Sequence, residues 1–435
     1  MNIKNLVFII ASFAAISVGR ADTLGLKDGE LIRALNQQLT EVLVTDGFSP
    51  PAASRIYCYA NIAAYECLVP YNPQYLSMKG QLTDFNGFDH VPRADVDRDL
   101  LLVFLFVNVS KELVYRTHIL DHFRQAYVKS RNDLQSEVMI STQSEANRLT
   151  ALYLAWLSKD NYKMLKEAER YVPFSGPQFW EPTPPAYMDA LEPNWRRLRP
   201  MVLKSLTEVE IATPTPFDTT RTSQFYKEAM DVYRSVNSID DERLHIAKFW
   251  DCNPLQTQTM GHFNFVSRQL TPGGHWLGIV GICTRKEKFD LMKTTESYLL
   301  VCLGLHDSFL VAWAEKFKSC LIRPETYINR YIDPNWRPLL ETPPFPEHPS
   351  AHSVISASSS RILTKIFGDN FYFEDDTEVG FGLGTRKFSS FEHAANEAAI
   401  SRLYGGIHYL PAIEHGKTVG RIMGGLILNR IRTTP

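Results

Sequence analysis

The spacing of apolar residues constrains this 435-residue chain more than any other feature of its sequence. In segment after segment, apolar side chains recur every three or four positions between charged ones, which is the period of an amphipathic helix. Such segments run over 31–43, 56–67, 100–126, 144–156, 224–236, 291–317 and 413–431. Strict two-residue alternation, the pattern of a half-buried strand, is scarce. We therefore predict an all-α fold of two packed helical bundles.

Two proline-rich stretches interrupt the helical pattern. Residues 173–216 combine many prolines with several aromatic residues, and a density of prolines this high blocks continuous helix. A second such stretch covers residues 333–349. We predict an N-terminal helical bundle over 22–172, a packed extended connection over 173–216, and a C-terminal helical bundle over 217–435.

The N-terminal segment predicts export. Lys4 precedes an apolar run over 6–18, and small residues at Gly19 and Ala21 follow it, as in a cleaved signal peptide covering 1–21. The run is shorter than the roughly 20 residues that a membrane-spanning helix needs. We expect a periplasmic or secreted protein with no stable membrane span, the alternative being an uncleaved anchor.

Charge and cysteine usage exclude several classes of function. The chain carries 46 Lys and Arg against 48 Asp and Glu, so its net charge of −2 offers no broad footprint for nucleic acid or an anionic membrane. The six cysteines form no CxxC pair, which argues against a zinc ribbon or a thioredoxin-like redox motif. We expect scattered thiols in the core.

Two short motifs predict an anion site in the C-terminal half. Lys316 and Arg323 are seven residues apart, so on one helix, ended by Pro324, they would share a face. Ser350 and His352 open the next helix, where free backbone N–H groups and a hydroxyl can bind an anion. The ordinary alternatives are a solvated basic edge and a structural histidine.

A third motif follows about fifty residues later. Ser389 to Glu392 has the pattern of a capping box and would start a helix that reaches Arg402. Two glycines at 405 and 406 then stop the helix, so that Arg402 and His408 can converge. Taken alone, Arg402 would be an ordinary partner of a helix dipole.

In this order, the three motifs closely resemble the signature of the vanadium-dependent haloperoxidase and type 2 phosphatidic acid phosphatase superfamily. Segments 247–251, 271–276 and 336–346 also look like the bacterial haloperoxidase branch, so the resemblance covers about residues 173–430. One departure is clear. Ala351 stands where the family usually has glycine, which keeps the backbone N–H but narrows the room beside an anion.

The resemblance implies a role for each motif residue. The residues that would hold the oxygens of vanadate or phosphate are Lys316, Arg323, Ser350, Ala351 and Arg402. His352 would act as acid and base, and His408 would be either the axial vanadium ligand or a phosphatase nucleophile that forms a phosphohistidine. Asp251 is our candidate for the acid that supports the last arginine in this family.

Three functions are compatible with such a pocket. The first is a haloperoxidase that uses a vanadate cofactor to oxidise halide with hydrogen peroxide. The second is an exported acid phosphatase that hydrolyses phosphate esters without vanadate, and the third is a non-catalytic oxyanion-binding protein. The upstream segments favour the first.

The halide is predicted from two aromatic residues. Trp313 and Phe345 match by position an aromatic pair near the halide path in the chloride-using branch of the family. They imply bromide oxidation with detectable chloride oxidation, unless both rings are ordinary core packing.

Overall fold

The computed structural model describes residues 25–26, 28–254, 256–260 and 263–435, so the predicted signal peptide over 1–21 lies outside the described residues. The fold is mainly helical, as predicted. The helices are α1 (Gly29–Asp46), α2 (Pro50–Leu68), α3 (Arg98–Lys111), α4 (His118–Ser130), α5 (Ser136–Leu157), α6 (Tyr162–Lys166), α7 (Gln224–Asn237), α8 (Asp241–Phe249), α9 (Pro272–Lys286), α10 (Leu291–Ser319), α11 (Pro324–Tyr331), α12 (Ala351–Phe367), α13 (Phe391–Tyr404) and α14 (Leu410–Arg430). Two short antiparallel hairpins pair β1 (Gln256–Met260) with β2 (Phe263–Ser267), and β3 (Phe373–Asp375) with β4 (Arg386–Phe388).

Helix α10 is the centre of the fold. It packs against α1 and α2 from the first half of the chain and against α9, α12 and α14 from the second. Among the described helices, α10 alone is long and apolar enough to cross a membrane. An 18-residue stretch of it has a mean hydropathy of 1.4, and 94% of that stretch is buried inside the protein. One hydrophobic core joins residues from both halves of the chain. The division into two bundles therefore stays a prediction.

The periodic segment over 100–126 forms two helices, α3 and α4, where the pattern suggested one. Residues 112–117 separate them. In this turn the backbone N–H groups of Tyr115 and Arg116 donate to the carboxylate of Asp46 at 2.8 and 3.2 Å. A contact with a residue far away in the sequence thus interrupts the helical pattern.

The prediction that Lys316 and Arg323 share one helix is wrong. Helix α10 ends at Ser319, where Cys320 adopts a left-handed conformation with φ of 49°. The next residues are extended and pair with the proline-rich connection, since Leu321 forms a β-bridge with Phe179. Pro324 begins α11 rather than ending α10, because the first position of a helix does not need the N–H that proline lacks.

The predicted capping box at 389–392 also does not form. Helix α13 begins one residue later than the pattern implied, with Ser390 accepting from the His393 N–H at 3.1 Å. Glu392 instead pairs with Arg421 at 3.0 Å. The stop at the two glycines is confirmed, since α13 ends at Tyr404 and Gly406 has a φ of 80°.

A row of glycines lets α14 approach α12 very closely. Gly416, Gly420 and Gly424 recur every four residues on one face of α14, next to the backbone of α12. A Cβ atom at position 416 would lie 2.7 Å from the carbonyl oxygen of Ser350, and Gly420 is closer still to the Val354 carbonyl. Backbone atoms cannot rotate away as a side chain can. This close-packed seam between α12 and α14 therefore fixes the position of the N-terminus of α12.

We expect Gly420→Ala to lower the free energy of unfolding by about 1–3 kcal/mol, the usual cost of overpacking. Gly425→Ala is the matched control, because it lies on the same helix and its added Cβ would meet nothing within 4 Å. The control should be neutral or up to about 1 kcal/mol more stable, since alanine favours helix. Chemical denaturation of both variants checks this, and equal effects would contradict the close-packed seam.

Candidate active site

Lys316 is fully buried near the C-terminus of α10, and main-chain carbonyl groups surround its ammonium. Its Nζ donates hydrogen bonds of 2.9, 3.0 and 2.6 Å to the carbonyl oxygens of Pro346, Glu347 and Pro349. An ammonium has three N–H donors, so these carbonyls use all of them. Lys316 therefore orders the loop before α12. Its predicted contact with an oxyanion stays a prediction.

Arg323 is fully buried just before α11. Its Nε donates to the Phe345 carbonyl at 2.8 Å, and its Nη1 donates to the Ile407 carbonyl at 2.8 Å and lies 3.2 Å from Nε2 of His408. Its Nη2 is buried and has no hydrogen-bond partner among the described residues. Main-chain carbonyls before α12 and after α13 thus hold the guanidinium, and the two N–H groups of Nη2 stay available.

The start of α12 has the geometry of an anion-binding helix N-terminus. Ser350 is the N-cap, and its Oγ accepts from the Ser353 N–H at 3.3 Å and from the Ser353 hydroxyl at 2.9 Å. The Ser350 hydroxyl proton is therefore free to donate elsewhere. The N–H groups of Ala351 and His352 belong to the first turn, where no intrahelical acceptor exists. Both the dipole and these donors favour an anion.

Arg402 lies in the last turn of α13 and is anchored to the segment after α8. Its Nη1 donates to the Asp251 carbonyl at 3.3 Å, and its Nη2 donates to the Trp250 carbonyl. The Asp251 carboxylate lies 4.0 Å from Nη1. Burial raises the pKa of Asp251 to about 6, while the charge of Arg402 acts in the opposite direction. The predicted acid is therefore beside this arginine, and its backbone makes the shorter contact.

His408 follows α13 and is oriented by an acid that sequence reasoning missed. Its Nδ1 lies 2.7 Å from Oε1 of Glu347, which also accepts from the Tyr409 N–H at 3.0 Å. A guanidinium only donates, so Nε2 accepts from Arg323 and Nδ1 carries the proton. This tautomer leaves the lone pair of His408 at Nε2. Glu347 is a single acid within a proline-rich stretch, and its distance from His408 along the sequence matches no motif that would have predicted this contact.

His352 lies in the first turn of α12 and contacts the ring of Trp250 edge-on, with 6.4 Å between ring centroids. Its Nε2 is buried and has no hydrogen-bond partner among the described residues. Buried polar atoms in proteins are almost always paired. An unpaired imidazole nitrogen in a cavity wall therefore marks a place where a ligand can bind or exchange a proton.

The buried site destabilises the protonated forms of its basic side chains. Burial, reinforced by neighbouring cations, lowers the pKa of Lys316, His352 and His408 well below their usual values. Burial lowers the pKa of Arg323 to about 10 and also lowers that of Arg402. A bound oxyanion would offset this cost, because it would supply negative charge where water is excluded.

A cavity of about 90 Å³ brings most of the predicted site together. The predicted residues that line it are Asp251, Trp313, Phe345, Ala351, His352, Arg402 and His408. Lys316, Arg323 and Ser350 are outside this lining and contact the lining residues or their loops. The rings of Trp313 and Phe345 are 4.9 Å apart and form an aromatic part of the wall.

The comparisons with known proteins concern the fold and the family of the chain. Residues 296–434 match a family model described as the VCPO second helical-bundle domain. The chain is similar to the crystal structure of a bacterial vanadium-dependent iodoperoxidase, with 39% identity over 94% of this chain and 97% of that chain and a TM-score of 0.87. A holo-type bacterial vanadium-dependent chloroperoxidase has 14% identity, 93% and 98% coverage and a TM-score of 0.69, which shows a shared fold. No curated protein sequence matches the chain.

An identity of 39% over nearly the whole of both chains identifies the family. The chain belongs to the vanadium haloperoxidases. It is therefore an enzyme of the peroxidase class, and its family implies vanadate as the cofactor.

Glu347 provides a pH test of the site. Burial raises its pKa to about 7, although Arg323 and Lys316 oppose the shift. The folded protein then holds a proton that the unfolded chain releases near pH 4.5, so stability falls as pH rises between these values. We expect Glu347→Gln to remove this fall, which is on the order of 3 kcal/mol over the window. Denaturation curves at pH 4.5 and 7.5 that change equally in both proteins would contradict this.

Proposed function

We propose that this enzyme oxidises halide with hydrogen peroxide, using vanadate bound in the cavity described above. The observation that carries the proposal is the convergence of His352, Arg402 and His408 on one cavity. The 39% identity to a vanadium iodoperoxidase supports it. The substrates, which are halide, hydrogen peroxide and an organic acceptor, are all small molecules. The signal-peptide pattern over 1–21 supports export to the periplasm or the medium.

The residues that line the cavity, together with those directly behind its wall, suit a vanadate ion. Arg323 Nη2 and His352 Nε2 are buried and have no hydrogen-bond partner among the described residues. Guanidinium groups bind several oxygens of a tetrahedral oxyanion at once. We propose that Arg323, Arg402, the Ser350 hydroxyl and the Ala351 N–H hold the oxygens. Lys316 adds charge from behind the loop that it orders. When bound, vanadate supplies a Lewis-acidic centre that activates peroxide toward halide.

The two histidines have different tasks in this proposal. Nε2 of His408 carries the lone pair and Nδ1 donates its proton to Glu347, so Nε2 would hold vanadate once it gives up the hydrogen bond from Arg323. His352 is neutral, and its Nε2 can take up a proton from incoming hydrogen peroxide and return it to the departing oxygen. The aromatic wall keeps bulk water away from both atoms.

We propose iodide as the preferred halide. The relative at 39% identity is an iodoperoxidase, and iodide gives up an electron more readily than bromide or chloride. The cavity wall formed by Trp313 and Phe345 suits a large, weakly hydrated anion. The sequence-based expectation of bromide and detectable chloride oxidation remains a prediction, and it now ranks behind iodide.

The direct experiment loads purified protein with vanadate and measures peroxide-dependent oxidation of iodide, bromide and chloride. A parallel assay measures hydrolysis of a phosphate monoester by vanadate-free protein. We expect turnover to fall from iodide to bromide to chloride, and to require vanadate. Phosphate ester hydrolysis without any halide oxidation would replace the proposal by the phosphatase alternative, and the absence of both activities would leave only an oxyanion-binding protein.

Variants should separate binding from turnover. We expect Arg402→Ala to weaken vanadate affinity by about 2 kcal/mol or more, the scale of lost charge-assisted hydrogen bonds. His408→Ala should abolish turnover. His352→Ala should keep vanadate affinity within a few fold and lower turnover by about two to four orders of magnitude, the usual range for an acid-base group. Calorimetric titration and steady-state rates check the set, and equal loss of affinity in both histidine variants would contradict the division of roles.

A further inference from the structure

A second cluster of polar side chains adjoins the cavity, which Cys252 helps to line, and takes no part in the proposed reaction. Cys252, His275 and Glu378 are all buried, and their candidate ligand atoms lie within 4.8 Å of one another. The distance from Cys252 Sγ to His275 Nδ1 is 3.4 Å, from Sγ to Oε1 of Glu378 is 3.8 Å, and from Nδ1 to that oxygen is 3.1 Å. The other ring nitrogen of His275, Nε2, lies 2.8 Å from Asp375.

Three separate elements bring these residues together. Cys252 follows α8 and has a φ of 48°, which lies in the left-handed region. Residues other than glycine are uncommon in this region. His275 lies near the N-terminus of α9, and its ring stacks on Trp250 with centroids 4.4 Å apart. Glu378 follows β3 in the turn that leads to a short 3₁₀ helix. The cluster is therefore held by surrounding structure rather than by one local turn.

The triangle of ligand atoms has the size of a zinc site. Zinc bonds of about 2.3 Å to sulfur and about 2.0–2.1 Å to nitrogen or oxygen, in tetrahedral geometry, separate neighbouring ligand atoms by roughly 3.3–3.6 Å. The observed separations of 3.1, 3.4 and 3.8 Å bracket this range. Small movements of side chains would bring all three atoms into coordination distance.

The charges of the cluster are compatible with a bound divalent cation. Asp375 and Glu378 are both buried, and both form their ion pair with the same imidazole of His275. One imidazolium can balance only one of the two carboxylates, and an unbalanced buried charge is expensive. A divalent ion that replaces the thiol proton of Cys252 and the Nδ1 proton of His275 leaves the net charge of the four side chains at −1, and it places its charge directly between Glu378 and the thiolate. His275 would then be neutral and donate its Nε2 proton to Asp375, the usual support of a zinc-bound histidine.

We propose that Cys252, His275 and Glu378 bind a divalent transition-metal ion, zinc in preference to magnesium or calcium, with Asp375 orienting His275. A thiolate and an imidazole are soft or intermediate ligands, which select zinc over the hard cations. Three protein ligands leave one coordination position for water. Binding displaces the thiol proton of Cys252 and the Nδ1 proton of His275.

The proposed metal would act on the catalytic cavity through the backbone. Cys252 directly follows Trp250 and Asp251, whose carbonyl oxygens accept the hydrogen bonds of Arg402. A metal ion that fixes Cys252 would therefore fix the acceptors that position this arginine. Its role is structural, because the ligands of the metal are separate from the residues proposed to bind vanadate.

Cobalt(II) is the probe for the experiment, because a cobalt–thiolate bond gives a charge-transfer band in the near ultraviolet. Reduced, metal-stripped, vanadate-free full-length protein is titrated with cobalt and then with zinc. We expect one equivalent of cobalt to produce the band, and one equivalent of zinc to remove it and raise the melting temperature. Cys252→Ser should lose the band. The control is Cys283→Ser, which changes another buried thiol on the helix that carries His275 and should keep it.

A second variant, Asp375→Asn, tests the site without removing any of the three metal ligands. Asp375→Asn keeps all three ligands and should keep the band while weakening metal affinity by about 10–100-fold, as expected for a partner outside the coordination sphere. The proposal would be overturned if folded wild-type protein bound cobalt without a thiolate band. It would also be overturned if Cys252→Ser kept the band. Since no readout uses halide or peroxide, failure of this proposal is distinguishable from failure of the proposed activity.

Discussion

The active site depends on the burial of three cations among main-chain carbonyl groups. Lys316, Arg323 and Arg402 each donate to backbone oxygens of segments that have no regular secondary structure. A buried charge without such partners costs several kcal/mol, so these hydrogen bonds are a condition for the cations to be inside at all. In return, the cations order the loops. The cations and the loops therefore depend on each other: the loop carbonyls stabilise the buried charges, and the cations hold the loops in place around the cavity.

The prolines of the 343–349 loop suit this arrangement for a simple chemical reason. A proline has a carbonyl acceptor but no N–H donor, so a proline-rich loop can turn oxygens toward a cation without presenting N–H dipoles that would repel it. Pro346 and Pro349 both accept from Lys316. The two N–H groups of Arg323 Nη2 have no acceptor within the part of the chain that the structure describes, so they can donate to a bound anion.

The sequence predicted the helices and the order of the three motifs because both are local patterns. It failed where distant contacts decide the outcome. Arg323 leaves the helix because residues after Cys320 pair with the proline-rich connection, far away in the chain. Glu347 is 61 residues from the histidine that it orients. Cys252 and Glu378 are 126 residues apart, so no spacing rule for metal ligands could have joined them.

Helix α10 has a consequence for how the chain reaches its folded state. Its apolar surface is covered by α1 and α2, which precede it by more than two hundred residues, and by α12 and α14, which are made last. The chain thus contains a stretch of 18 residues as apolar as a membrane helix, and this stretch is covered by helices from both ends of the sequence. Contacts so distant in sequence form slowly, and exposed apolar surface invites aggregation in the meantime. The core around α10 is therefore complete only when α14, the last helix of the chain, has packed against it.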